Sequence, residues 1–162
     1  MEGPPDEDLS TGKNNSGLMR LVVQRVRHAN VHVQNSLVGS IDKGLLVYVG
    51  FSREMTEEKL QYMVRKLLKA RLWPSDEKGF DLSVSDVGGD ILIVSQFTLH
   101  GYLDGNKPNF KQSAAYADAR YWYERLIEEL RQGGLRVASG QFGGSMLVES
   151  CNEGPTTLLL ER

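Results

Sequence analysis

"GLLVYVGF", Gly44 to Phe51, is a run of eight residues without a single charge and rich in branched side chains. It is shorter than a core helix and no polar residue interrupts it. It therefore reads as a strand buried on both faces, at the centre of a sheet rather than at its edge. Working outward, "LVVQRVRHANVHVQ" (Leu21–Gln34) is rich in β-branched residues and alternates. Asn35-Ser36 is placed as the turn that carries it into "LVGSI" (Leu37–Ile41). Further on, "ILIVSQFTL" (Ile91–Leu99) is a second buried strand that ends in polar residues.

Two helices fit between and after these strands. Thr56 can cap the first, with Glu57 and Glu58 in its electropositive first turn. Leu60, Met63, Val64, Leu67, Leu68 and Leu72 follow at helical spacing, and Pro74 is expected to end the helix. The second carries Ala119, Trp122, Tyr123, Leu126, Ile127 and Leu130 on one face, with Gly133-Gly134 as its left-handed exit. "SDEKG" (Ser75–Gly79) and "DVGGD" (Asp86–Asp90) read as turns around a short strand, the latter as a hairpin turn. "GYLDGNKPNF" (Gly101–Phe110) reads as a loop, and two final strands are expected near residues 145–150 and 156–161. The fold class is thus α/β: one domain, a largely antiparallel β-sheet or barrel, and two main α-helices. Residues 1–18, rich in Gly, Pro, Ser, Asn and acid, read as a flexible acidic and polar extension ahead of a domain spanning 19–162.

At 162 residues the chain is long enough for one domain with a real core. No apolar run approaches the ~20 residues that cross a bilayer, and the N-terminus does not resemble a signal peptide. One cysteine, Cys151, cannot form an internal disulfide, which favours a reducing, cytoplasmic home. Net charge is −2, but residues 1–17 carry four acids against Lys13, leaving 18 basic and 17 acidic side chains in the rest. A body so close to neutral argues against binding nucleic acid through a broad basic face, while permitting a local patch for one phosphate or an RNA end.

Familiar catalytic sets are hard to assemble. His28 and His32, four apart in a strand, share a face, but a zinc site needs a third ligand and Cys151 has no CxxC partner. As a nucleophile Cys151 lacks a nearby base, so it reads as an idle thiol. There is no nucleophile elbow and no glycine-rich phosphate loop. What remains is "SQFTL", Ser95 to Leu99, where strand alternation points Gln96 and Thr98 one way and Ser95 and Phe97 the other. A pocket can open there, although polar residues at a strand end need no special role.

A second stretch changes that weighing. "NEGPTT", Asn152 to Thr157, places a rigid Gly-Pro corner just before the closing "LLLER". Together with "SQFTL", in this order and separation, it resembles the D-aminoacyl-tRNA deacylases, which commonly read "SQFTL" and "N-x-G-P-V-T". The resemblance runs from about Met19 to the end and takes in "LVVQRV", "GLLVYVG", "GGDILIVSQFTL" and "KPNF". Thr156 stands where the family has valine, and "KPNF" departs from the more usual Arg-Pro-Ser-Phe.

The resemblance implies a D-Tyr-tRNA deacylase-like fold and a cytoplasmic homodimer with shared active sites, acting without metal or cofactor. The substrate it implies is the 3′ end of a tRNA carrying a D-amino acid, with glycyl-tRNA as a side substrate. Ser95, Gln96, Phe97 and Thr98 correspond to the catalytic wall. Gly154 and Pro155 correspond to a Gly-cis-Pro selector lent by the partner subunit, whose main-chain carbonyls hold the substrate's α-amino group and leave no room for an L side chain. Arg25 corresponds to the arginine that bonds this loop and fixes its carbonyls. Asn152, Thr157, Pro108 and Phe110 are the supporting positions, and Lys107, Lys111 and Arg120 are candidates for phosphate contacts. In the mechanism it implies, N–H groups around Phe97 stabilise the oxyanion and the RNA 2′-OH assists, leaving Thr98 dispensable. Two rival readings remain: an animal-type deacylase of L-alanyl-tRNA(Thr), whose motifs are altered and whose Gly-Pro is trans, and a non-enzymatic nucleic-acid-binding protein.

Overall fold

The computed structural model describes residues 17–162. The extension expected over residues 1–18 lies outside the described residues except for Gly17 and Leu18. Both are held to the body: the Gly17 carbonyl accepts from Ser52 Oγ and Lys59 Nζ, and the Leu18 carbonyl accepts from His100 Nε2.

Gly44–Gly50 forms β3, a central strand flanked by β1 (Arg20–Val33) and β4 (Asp90–Ser95). Its unbroken apolar character has a structural cause. Leu45, Val47 and Val49 enter one hydrophobic core and Leu46 enters another on the opposite face. β4 divides likewise, with Ile91 and Ile93 on one side and Leu92 and Val94 on the other. The first core is covered by α1 (Glu57–Lys69) and α2 (Tyr116–Gln132). The second is enclosed by the curved sheet itself, where Val26, Ala29, Val31 and Ile41 meet. The alternation of β1 changes phase between Val26 and Ala29, where β8 (Leu147–Glu161) also shifts register against it.

The sheet order is β2-β1-β3-β4-β7, with β2 at Ser36–Ile41, β7 at Val137–Ser139 and β8 paired to β1. Pairings of β1 with β2, β3 and β8 are antiparallel, while β3–β4 and β4–β7 are parallel. The two parallel steps are the ones that carry the helices, since each needs a long crossover. The sheet curls until β2 approaches β7: a Cβ on Gly39 would lie 2.4 Å from the Ser139 carbonyl oxygen. The result is a nearly closed barrel with two helices.

Several local expectations shift. The β1–β2 turn is Gln34-Asn35, both at positive φ (48° and 66°), one residue earlier than placed. That is the two-residue turn whose twist suits a hairpin. α1 ends at Lys69 with Ala70 extended, well before Pro74, so Leu72 and Trp73 are buried from a loop rather than a helix face. α2 exits through Gly133 into Gly134 at φ +92°. "DVGGD" is a turn, but it leads into a parallel strand, and the short strand before it reduces to one bridge, Trp73 with Leu82. "GYLDGNKPNF" is a small hairpin, β5 (Tyr102–Asp104) with β6 (Lys107–Asn109). The last two strands form one long β8, whose pairing with β1 shifts at the Gly-Pro corner and again between Asn152 and Ser150.

Candidate active site

β4 delivers Ser95 to the end of the sheet, and there the alternation stops. Gln96 breaks away at φ −145°, ψ 81°, and Phe97–His100 winds into a 3-10 turn closed by Leu99 N–H to the Gln96 carbonyl at 3.1 Å. Ser95, Gln96 and Phe97 consequently face one cavity together instead of splitting between two faces. Gln96 and Thr98 still meet, because the turn brings Gln96 Nε2 to donate to Thr98 Oγ1. Thr98 itself is exposed and off the cavity wall.

The cavity holds about 580 Å³, within the range of small-molecule sites. Val49 and Phe51 close one side, Phe110 and Ser113 another, Tyr116 of α2 a third, and the segment from Phe142 to Val148 the rest. Among the described residues, no Asp, Glu, His, Lys, Arg or Cys lines it. Its framework is aromatic: Phe97 and Phe110 pack edge to face at 5.0 Å, as do Tyr116 and Phe142. Phe142 rests on Tyr123 at 5.3 Å, and Tyr123 donates its buried hydroxyl to the Ile93 carbonyl at 3.0 Å. Burial pushes the Tyr123 phenol up to about 12, so it remains a donor at neutral pH. Ser113 Oγ donates to the Phe97 carbonyl at 2.9 Å and holds the 3-10 turn against the wall.

Behind the turn sits His100, 1% exposed. Its Nε2 is the donor to the Leu18 carbonyl, and Nδ1 is buried without a partner among the described residues. Burial holds its pKa below the ordinary value, so the ring is neutral. It ties the turn to Leu18 and does not reach the cavity lining.

Gly154 and Pro155 lie elsewhere. Both are exposed, and neither lines the cavity of its own chain. Their peptide bond is cis, and Gly154 has φ +120°. Residues 153–156 bulge out between Asn152, paired with Val26, and Thr157, paired with Gln24. Asn152 closes the bulge: its Oδ1 accepts from Thr156 N–H at 3.0 Å and its Nδ2 donates to Thr157 Oγ1 at 2.9 Å. Gln24 Nε2 donates to the same hydroxyl at 3.2 Å. Arg25 stands against the corner, its Nη2 3.2 Å from where a Cβ on Gly154 would sit. Its hydrogen bond does not go to the corner, however; Nη1 donates to the Leu72 carbonyl.

The remaining candidates separate. Phe110 lines the cavity, whereas Pro108 is exposed on β6 beside Lys107. Lys111 is exposed, and Arg120 pairs with Glu124 at 3.1 Å. Cys151 is exposed on β8, and among the described residues no three His, Cys, Asp or Glu side chains converge.

The arrangement of "SQFTL" and "NEGPTT" on one frame has a match among known families. The model for D-Tyr-tRNA(Tyr) deacylase covers residues 22–161. The chain belongs to that deacylase family. A D-aminoacyl-tRNA deacylase of Cyanothece sp. (strain PCC 7425 / ATCC 29141) is 46% identical over 147 residues, 89% of this chain and 92% of that protein. One of Geobacillus sp. (strain WCH70) is 46% identical over 144 residues, 88% and 95% of the two chains. Among solved structures, a c-Myc DNA unwinding element binding protein superposes with a TM-score of 0.83 at 39% identity, over 88% of this chain and 98% of that one.

Within this deacylase frame the sequence reading missed one wall of the cavity. Phe142, Gly143, Gly144 and Met146 come from "QFGGSM", between β7 and β8, and Tyr116 from the start of α2. The only local signal was a glycine pair beside an aromatic. Gln24 was missed as well, because a strand glutamine looks ordinary until Thr157 is set opposite it.

Proposed function

We propose that the protein hydrolyses the ester joining a D-amino acid to the 3′-terminal ribose of tRNA, releasing free tRNA and keeping D-residues out of translation. The observation that carries this reading is a cavity walled by Ser95, Gln96 and Phe97 in a chain of this family, with no carboxylate, imidazole, amine or thiol among its described lining residues. Ester cleavage there has to draw on hydrogen-bond donors and on the substrate itself. The N–H group of Phe97, on the cavity wall, opens the 3-10 turn, where the first donors have no acceptor within the turn. Aimed at the ester carbonyl oxygen, each such donor is worth about 3–4 kcal/mol in the transition state. The neighbouring 2′-OH of the ribose assists attack by water, and glycyl-tRNA, which has no side chain to reject, is accepted too.

Chirality is set by the Gly154-Pro155 corner of a second subunit. Its main-chain carbonyls receive the α-amino group, and an L side chain would run into them. Two features support an inserted corner: it is exposed and it lies off its own cavity. The same strand exposes Leu147 (72%), Leu158 and Leu159 (61%), apolar surface of the kind a second subunit could cover. No helix among the described residues is long and apolar enough to cross a membrane, and a tRNA substrate fits a cytoplasmic protein.

The test is deacylation of matched D- and L-tyrosyl-tRNA. Loss of the D form with the L form retained is expected; equal loss, or none, refutes the reading. The name of the structural neighbour favours a second reading, duplex DNA binding. Filter binding at physiological salt separates the two, since a body with 18 basic and 17 acidic side chains should bind duplex DNA weakly.

A further inference from the structure

The segment between α1 and β4 is built to hold one side chain out. Ser75 Oγ accepts from the N–H groups of Glu77 and Lys78, both at 3.2 Å, and Ser75 N–H donates to the Lys78 carbonyl at 2.9 Å. On the far side, the N–H groups of Asp81 and Leu82 both donate to the Trp73 carbonyl at 2.9 Å. Phe80 lies between these anchors and is 60% exposed, so core burial does not account for its place. Its ring faces the guanidinium of Arg25, with 6.0 Å between Cζ and the ring centroid.

Arg25 needs that support. Its one hydrogen bond among the described residues is from Nη1 to the Leu72 carbonyl, and its Nε is buried without a partner. A planar group held at one corner can swing about that bond. What limits the swing is the Phe80 ring at 6.0 Å and the corner beside it, where a Cβ built on Gly154 would lie 3.2 Å from Nη2. The loop of residues 72–82 therefore grips Arg25 twice, through the Leu72 carbonyl and through Phe80.

We propose that Phe80 is a positioning residue for chiral selection: by bracing Arg25 against Gly154 it fixes the carbonyls that discriminate D from L substrates. This rests on the deacylase reading above. Phe80 does not line the cavity of its own chain; it acts through Arg25.

The test compares wild type, Phe80→Ala, Phe80→Leu and Phe80→Tyr on D- and L-tyrosyl-tRNA, with thermal unfolding of each. For Phe80→Ala the ratio of D to L rates is expected to fall about two- to fivefold, the range of an exposed cation–π contact, with the unfolding midpoint unchanged. Phe80→Leu keeps apolar bulk without a ring and should show the same loss; Phe80→Tyr keeps the ring and should restore the ratio. An unchanged ratio in folded Phe80→Ala, or a loss that Phe80→Tyr shares, overturns the inference. If Phe80→Ala fails to fold, the comparison of Phe80→Leu with Phe80→Tyr decides by the same criterion. If wild type itself shows no preference for the D form, it is the deacylase reading that fails.

Discussion

Replacing Gly154 by alanine is the most searching single change. A Cβ built there lies 2.6 Å from Thr156 Oγ1 and 3.2 Å from Arg25 Nη2, at a backbone φ of +120°. Contacts under 3 Å cannot persist, and a φ in this region costs a non-glycine residue about 1–3 kcal/mol. Thr156 Oγ1 can turn away about χ1, but Thr156 N, 3.2 Å from that Cβ, is tied to Asn152 Oδ1 and cannot give way without loosening that bond. For a chain of this size the penalty translates into a fall of roughly 2–12 °C in Tm. Gly88→Ala supplies the control: it also has positive φ (+65°), but a Cβ there meets nothing within 4 Å and Gly88 is remote from the corner in sequence. The assay pairs calorimetry with deacylation of D- and L-tyrosyl-tRNA. Gly154→Ala should lose both stability and D-selectivity, whereas Gly88→Ala should lose only a little stability. Should Gly154→Ala keep the wild-type Tm and the wild-type D/L ratio, the corner neither needs glycine nor selects the substrate, and the steric argument is refuted.

Thr98→Ala removes an exposed hydroxyl that partners only Gln96 among the described residues, so substantial deacylation should remain; activity no greater than a buffer blank would reinstate Thr98 as the nucleophile. Asn152→Ala removes the acceptor of Thr156 N–H and the donor to Thr157, two bonds together worth about 1–3 kcal/mol, read from the midpoint of urea unfolding; an unmoved midpoint would mean that the bulge holds itself. His100 gives a pH signature. Its folded pKa is depressed by burial, so the unfolded chain binds the proton more readily, and stability is full above pH ~6.5 and falls as the pH drops toward the lowered native value. Tm followed from pH 7.5 to 5 should fall more steeply in wild type than in His100→Gln, and equal slopes would contradict a buried neutral ring.

The residues that were easiest to read are those whose neighbours lie along the chain. Thr56 accepts from Lys59 N–H as a cap three residues away, and Gly134 takes the left-handed exit after α2. Leu45 to Val49 announced burial on both faces through composition alone. Expectations failed where a distant element intervened. Leu72 continues the helical spacing of α1, yet the chain turns extended at Ala70 and the Leu72 carbonyl is taken by Arg25, 47 residues earlier. "SQFTL" continues the alternation of β4, yet the N–H of Leu99 turns back to Gln96.

By itself the sequence determined both helices and the long strands, though not the short β5, β6 and β7, and which two motifs stand out against an otherwise ordinary domain. Periodicity carries that much, because it is a local property of backbone geometry. Only the tertiary structure decided that β3 and β4 run parallel, that four separate segments close one uncharged cavity, and that Gly154-Pro155 stands outside it, closed by Asn152 with Arg25 alongside. Those facts depend on which buried faces meet, and a pattern of burial does not name its partner.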